Sequence, residues 1–314
     1  MSAAPQRFGQ ALKNVFSPYY VYRPGQFVRR VVGDRSSDAE ARLPLPWGAT
    51  ITCHPQESVG RGIQRRGVYD LGVCEVLLRL ADPGETAVDV GANIGQMTSA
   101  LAHAVKRSGR VIAFEPHPAV YALLDKNVRE WRARPSAPTI EAHQEALSDR
   151  DGVAELATDV FGLNEGSASL EPLAQPRHAK DVHTVRVRRV DDVLGDKARV
   201  GVMKLDVEGH ELHALRGAQA ALTTGRIRDL VVEEQDEPPT PVTRLLAQHG
   251  YTLMRIGEQL RGPIVGALDD PTIAVGFGLA QSLLATLDPQ RALERLKLRG
   301  WATYGVGPAA KLRR

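Results

Sequence analysis

The feature that most restricts this fold is a rhythm. Between Thr86 and Ile256, short β-branched runs alternate with segments whose apolar residues recur every three or four positions. This pattern predicts a parallel sheet covered by helices, because doubly buried strands are apolar throughout while each crossover helix needs one apolar stripe. TAVDV and then QMTSALAHAVKRSG form the first strand and helix, with Met97, Ala100, Leu101, Ala104 and Val105 sharing a face. RVIAFEP is a second strand, and Pro118 opens a helix bearing Tyr121, Leu124, Val128 and Trp131 on one side. IEAHQEALS, VGVMKLDVEG, RDLVVEEQ and YTLMRI continue the series, with a helix opened by Thr240 and Pro241 before the last. The fold class expected is therefore α/β, a mostly parallel sheet with helices on both faces.

Residues 150–193 interrupt the rhythm. VAELATDV and VHTVRVRRV read as antiparallel strands around a polar stretch, a β-rich insertion at the rim of the sheet. Ahead of Thr86, LPLPWGATITCHP suggests a hairpin turning at Trp47-Gly48, and YDLGVCEVLLRL suggests a helix. The expected organisation is an N-terminal extension over 1–80, a ligand-binding sheet domain over 81–257 and a C-terminal extension over 258–314.

Composition limits the partners. No apolar run reaches the roughly 20 residues needed to span a bilayer, since the longest uncharged stretch, Pro271 to Leu287, is broken by prolines, glycines and amides. The N-terminus lacks the apolar centre of a secretion signal, so a cytoplasmic location is expected. Cys53 and Cys74 are too few for a disulfide framework or a four-thiolate zinc site. Basic residues cluster at both ends, six against one acid over 1–35 and seven against one over 291–314. These ends read as solvated tails and helix faces, so no nucleic-acid partner is expected.

The chemistry begins at DVGANIG, residues 89–95. Gly91 and Gly95 let backbone approach a ligand at a strand-to-helix turn, and the helix start offers unpaired amides to an anion. The glycine spacing is G-x-x-x-G, not the G-x-G-x-x-G of dinucleotide sites, and no phosphate-loop lysine follows. A nicotinamide-dependent oxidoreductase is thus disfavoured but kept as a rival. Glu115, at the end of the second strand, stands where an acid accepts hydrogen bonds from both ribose hydroxyls, which favours a ribose without a 2′-phosphate. Asp89 can meet the ammonium of an amino-acid tail and the helix start its carboxylate. Together these groups suit S-adenosylmethionine.

In order, DVGANIG, VIAFEPHP, ALSD, a V-x-V-x-x-V-D-D strand, KLDVEGHE with a following L-x-G-A, and VVEE resemble FkbM-type S-adenosylmethionine-dependent methyltransferases over about residues 40–260. The resemblance implies a Rossmann-like class I methyltransferase fold. It also implies that Asp89, Gly91, Asn93, Gly95, Glu115, Pro116 and His117 surround the methionine and ribose, with Glu145 and Ala146 approaching the adenine. The acceptor it implies is a hydroxyl of a sugar, glycolipid or polyketide-type metabolite.

Four residues are expected near the reaction. Asp206 and Glu208 have alternate-residue spacing at the end of the fourth strand, Asp206 either near the transferring methyl or bracing the loop. His210 is a possible general base or a cap. Glu233 and Glu234 end the fifth strand, one facing inward and the other the opposite side, and Glu234 is either an acceptor-binding carboxylate or part of a strand cap or an ion pair. Glu211 fits better as a helix-start acid. His210 and His213 lack the i, i+4 spacing of zinc hydrolases, and no metal is assigned. Asn164, Ser167 and Ser169 could contribute to a lid. A homo-oligomer is possible, and a non-catalytic binding module with the same fold is the second rival.

Overall fold

The computed structural model describes residues 17–26, 40–159, 170, 179–273 and 281–313. The apolar runs build strands β1 (Ala41–Pro44), β2 (Thr50–Cys53), β3 (Thr86–Val90), β4 (Arg110–Phe114), β5 (Thr139–His143), β6 (Ala146–Ser148), β7 (Gly152–Asp159), β8 (Ala179–Arg189), β9 (Val200–Leu205), β10 (Ile227–Glu234), β11 (Thr252–Gln259), β12 (Gly262–Gly266) and β13 (Gln281–Thr286). The helices that position the site are α1 (Leu71–Leu80), α2 (Gln96–Val105), α3 (Pro118–Arg132), α4 (Glu211–Arg216), α5 (Pro241–Gln248) and α6 (Pro289–Leu296).

Eight strands form the main sheet in the order β12-β11-β13-β10-β9-β3-β4-β5. β10, β9, β3, β4 and β5 are mutually parallel, and β13 runs against both of its neighbours. From β3 the chain moves outward to β4 and β5, then returns to place β9 on the other side of β3. This reversal opens a crevice beyond the carboxyl ends of the strands, the usual ligand position in open α/β sheets.

Strand periodicity divides the core into two layers. Ala87, Val111, Ala113 and Val202 pack with Leu77, Leu101 and Leu124, while Val88, Ile112, Phe114, Met203 and Leu205 pack with Leu215, Leu222 and Leu246. Helices therefore cover both faces.

The hairpin is present as β1 and β2, joined through the Trp47-Gly48 turn, and the insertion is a three-stranded sheet in the order β6-β8-β7 with β7 and β8 antiparallel. Two expectations need correction. IEAHQEALS is two strands in different sheets, β5 and β6. The sheet also continues past residue 257: β13 is inserted between β10 and β11, giving Leu283, Leu284 and Ala285 a buried place in its interior.

Helix α1 locks this C-terminal part in place. Arg79 is 1% exposed and donates to the carbonyls of Arg295, Leu296, Leu298 and Gly300, while Glu75 accepts from the amides of Ala302 and Thr303. A buried ion pair of 2.6 Å joins Glu75 to Arg79, so each charge is compensated and hydrogen-bonded. No helix among the described residues is long and apolar enough to cross a membrane.

Candidate functional site

A cavity of about 370 Å³ occupies the crevice at the strand ends, within the range of small-molecule sites. Parallel pairing puts the tips of β3, β4, β9 and β10 on one edge, so residues far apart in sequence converge there.

The turn after β3 supplies one wall. Gly91 has φ +75°, and a Cβ there would lie 1.7 Å from the carbonyl oxygen of Asp206, so only glycine permits this approach of neighbouring strand ends. Gly95 lies outside the lining. Its φ is +95° and a Cβ would meet Leu124 at 2.7 Å and Trp131 at 3.0 Å, so here the glycine is required by helix packing. Asn93 lines the cavity in a left-handed conformation, φ 51°, and its amide donates to Glu115 Oε2 at 2.9 Å.

Glu115 lines the cavity beyond β4. Its other oxygen, Oε1, accepts from the His117 amide at 3.0 Å. Each carboxylate oxygen thus holds one backbone amide and keeps a second lone pair for a ligand. Burial pushes its carboxyl up to about 7, against the pull of the two amides. Pro116 also lines the cavity. His117 does not; its Nδ1 accepts from Val120 at the start of α3, and its ring meets His183 edge-on at 4.9 Å.

Glu145 and Ala146 face the cavity from the β5–β6 connection, with Leu147, Leu156 and Leu170 adding apolar surface. Glu145 pairs with Arg186 at 3.2 Å and Arg188 at 3.5 Å, which ties this wall to β8 of the insertion.

Asp89 is fully buried and lies behind the lining. Its Oδ2 accepts from Thr98 Oγ1 at 2.6 Å, and its Oδ1, without a hydrogen bond, lies 3.7 Å from Lys204 Nζ. Burial raises the Asp89 carboxyl above its usual range, partly offset by Lys204 and Thr98. Lys204 is paired in register with Asp89 across β3 and β9. Its ammonium donates to the Gly91 carbonyl at 2.9 Å and meets Asp206 Oδ2 at 3.1 Å, linking the glycine turn to the acids opposite. Burial would lower its pKa, but Asp206 and Asp89 together hold it above the ordinary lysine value.

Asp206, Glu208 and Glu233 form the opposite wall, with an oxygen of each within 4.8 Å of the others. Glu208 has φ 54°. Burial, then Asp206 and Glu211, push its carboxyl up to about 7. Burial and the same crowding by Asp206 and Glu208 hold Glu233 well above the carboxylate range. A divalent cation would find three carboxylates here, opposed by the Lys204 ammonium against one of them.

Glu234, the acid expected to face the acceptor, points the other way. It accepts from Thr240 Oγ1 at 2.6 Å and from the Asp236 amide at 3.4 Å, bracing the start of α5. Adjacent strand residues point to opposite faces, and the inward one is Glu233. His210 lines the cavity, with Nε2 3.0 Å from Ser148 Oγ. Its ring stacks on His213 at 4.7 Å, and His213 Nδ1 is 2.7 Å from Asp149. Glu211 accepts from the amides of Val207 and Gly209 and holds the loop before α4.

Sequence reasoning passed over Lys204, Tyr69 and Asp70, and of the two strand-end glutamates it favoured Glu234 over Glu233. The signal for Lys204 was its alternate-residue spacing from Asp206, and for Asp70 its place immediately before an apolar helix. Asp70 caps α1 through the Val73 amide at 3.0 Å, lines the cavity beside Tyr69, and is pushed up to about 6 by burial. Asn164, Ser167 and Ser169 lie outside the described residues.

A doubly wound sheet with two reversed strands, β13 and the edge strand β12, a glycine turn after β3 and an acid after β4 define the class: this is a Rossmann-like class I methyltransferase fold. The profile described as the methyltransferase FkbM domain matches residues 89–253, just over half of the chain. The chain belongs to the FkbM methyltransferase family.

It is 30% identical over 148 residues to Methyltransferase 1 of Beauveria bassiana, a match covering 41% of this chain and 57% of the fungal protein. It is 28% identical over 213 residues to the hexuronic acid methyltransferase AglP of Haloferax volcanii, covering 64% of this chain and 77% of that one. Among solved structures, it resembles an FkbM methyltransferase from Methylobacillus flagellatus, with a TM-score of 0.41, 17% identity, and coverage of 72% of this chain and 52% of that one.

Proposed function

We propose that this protein is an S-adenosylmethionine-dependent methyltransferase that methylates a hydroxyl oxygen of a sugar, glycolipid or polyketide-type metabolite. The observation that carries this reading is the shared cavity: a carboxylate with two lone pairs to spare, Glu115, and a crowded set of acids, Asp206, Glu208 and Glu233, line one space beside Gly91.

The donor set fits the cofactor. Glu115 would accept from the ribose hydroxyls, Asn93 and Pro116 would border the sugar, and Ala146, Leu147 and Leu156 would offer apolar surface to the adenine. Lys204 would face the amino-acid end, with Asp89 behind it stabilising its charge. Bound S-adenosylmethionine supplies an electrophilic methyl group on a sulfonium. The chain's own part is to exclude water, align the acceptor oxygen and receive its proton.

Asp206 is committed to Lys204, which leaves Glu208, Glu233 and His210 as the cavity-lining groups able to take up or hand on that proton. The wall supports a hydroxyl acceptor, since carboxyl groups accept hydrogen bonds from hydroxyls. AglP, named as a hexuronic acid methyltransferase, lends support to the carbohydrate class of the acceptor and not to its charge.

Calorimetry and thermal shift with S-adenosylmethionine, S-adenosylhomocysteine and NAD test the reading. Both sulfur compounds should bind and raise the melting temperature, while NAD should do neither. Binding of NAD alone would replace it with the oxidoreductase. Saturable cofactor binding with no methyl transfer in lysates of a deletion strain supplemented with labelled cofactor would favour the binding module.

A further inference from the structure

We infer that the acceptor end of this cavity selects a neutral, polyhydroxylated compound and rejects one carrying a carboxylate. The inference rests on the function proposed above.

Among the described residues, the cavity is lined by six carboxyl groups, a single lysine and one histidine, His210, whose Nε2 lies 3.0 Å from Ser148 Oγ. Glu115 and Glu145 belong to the cofactor side. The other four, Asp70, Asp206, Glu208 and Glu233, come from three places in the chain and meet at the opposite end. The lysine is Lys204, already engaged by the Gly91 carbonyl and Asp206, with Asp89 behind it. Arg66, which faces Asp70, lies outside the lining and stacks on Tyr19 at 5.3 Å and Tyr69 at 5.8 Å. Arg186 and Arg188 are engaged by Glu145 on the cofactor side.

An incoming carboxylate would therefore meet like charge with no uncommitted cation in the described wall, and its own desolvation would go uncompensated. A hydroxyl meets the reverse situation. Glu233 Oε2 is enclosed in the wall without a hydrogen bond, and the Asp206 side chain is 37% exposed. These oxygens accept from hydroxyls. The burial and crowding that raise Glu208 and Glu233 oppose any further negative charge in the same way. A pocket built this way discriminates mainly by what it repels.

The test uses the full chain saturated with S-adenosylhomocysteine and three probes that differ in one group: methyl β-D-glucopyranoside, methyl β-D-glucopyranosiduronic acid and methyl 2-amino-2-deoxy-β-D-glucopyranoside. Calorimetry or ligand-observed NMR at pH 7.5 should give the neutral glycoside at least tenfold tighter binding than the uronide. The double variant E208Q/E233Q should bring the two within about threefold. Equal or tighter binding of the uronide by the wild type would overturn the inference, as would preference for the amine or binding of none of the three. Failure to bind S-adenosylhomocysteine in the first step would instead bring down the cofactor assignment, and this inference with it.

Discussion

The two ends of the parallel sheet differ in how their acidic residues are partnered. At the amino ends of the strands, Asp82, Glu85 and Asp229 meet Arg228, Arg291 and Arg295, with Arg228 2.9 Å from Asp229 and Arg291 and Arg295 each 2.6 Å from Asp82. Although burial opposes it, bonds from Arg295 and Arg291 hold Asp82 below the usual carboxylate range, while burial raises Asp229 against the pull of Thr286 and its two arginines. At the carboxyl ends, Asp70, Glu115, Glu208 and Glu233 are all displaced upward, with burial as the leading cause. The first end is matched charge and serves stability. The second tolerates unfavourable charge, which a fold keeps where a ligand is to supply the missing partners.

This contrast can be broken by substitutions at each end. The largest loss of stability should come from R228M, which strips Asp229, 0% exposed, of one of its two arginines and frees Glu85. A loss of about 3 kcal/mol in urea unfolding is expected, with cofactor affinity of the folded protein unchanged. E115Q, at the other end, should leave stability close to wild type and weaken S-adenosylmethionine binding about a hundredfold by calorimetry, roughly 2.7 kcal/mol.

E208Q sharpens the comparison through pH. The Glu208 carboxyl is raised from 4.5 in the unfolded chain to about 7, so the native state holds its proton longer. Stability of the wild type therefore falls as pH rises through that window, whereas below about pH 4.5 this group imposes no penalty. E208Q should be more stable than wild type at pH 8 by on the order of 2 kcal/mol, and equal to it at pH 4.5. A variant equally stable at both values would show that the crowding is relieved in solution. The smallest effect belongs to E234Q, where one weakened bond to Thr240 should cost about 1 kcal/mol of stability and leave cofactor affinity unchanged.

Much of the parallel core was legible because buried strands and crossover helices write different periods into the sequence, and Glu115 could be read from its distance to the glycine turn. What escaped depended on register. Lys204 acquires its role only because β9 returns beside β3, placing it opposite Asp89 across 115 positions of chain. The choice between Glu233 and Glu234 is a question of strand phase, and two adjacent glutamates at a strand end carry no sign of which turns inward. Asp70 joins the site through the docking of α1, and β13 enters the sheet from beyond the periodic region. Both are tertiary facts with weak local signatures. Gly95 shows the converse: its spacing from Gly91 suggested ligand contact, yet its space is filled by Leu124 and Trp131.

The most direct test of this account is a crystal structure of the protein with S-adenosylhomocysteine. The ribose hydroxyls should lie within hydrogen-bond distance of Glu115, with the adenine against Ala146 and Leu147 and the sulfur turned toward Asp206 and Glu233. A ligand seated elsewhere, or one in this crevice with its ribose away from Glu115, would contradict it.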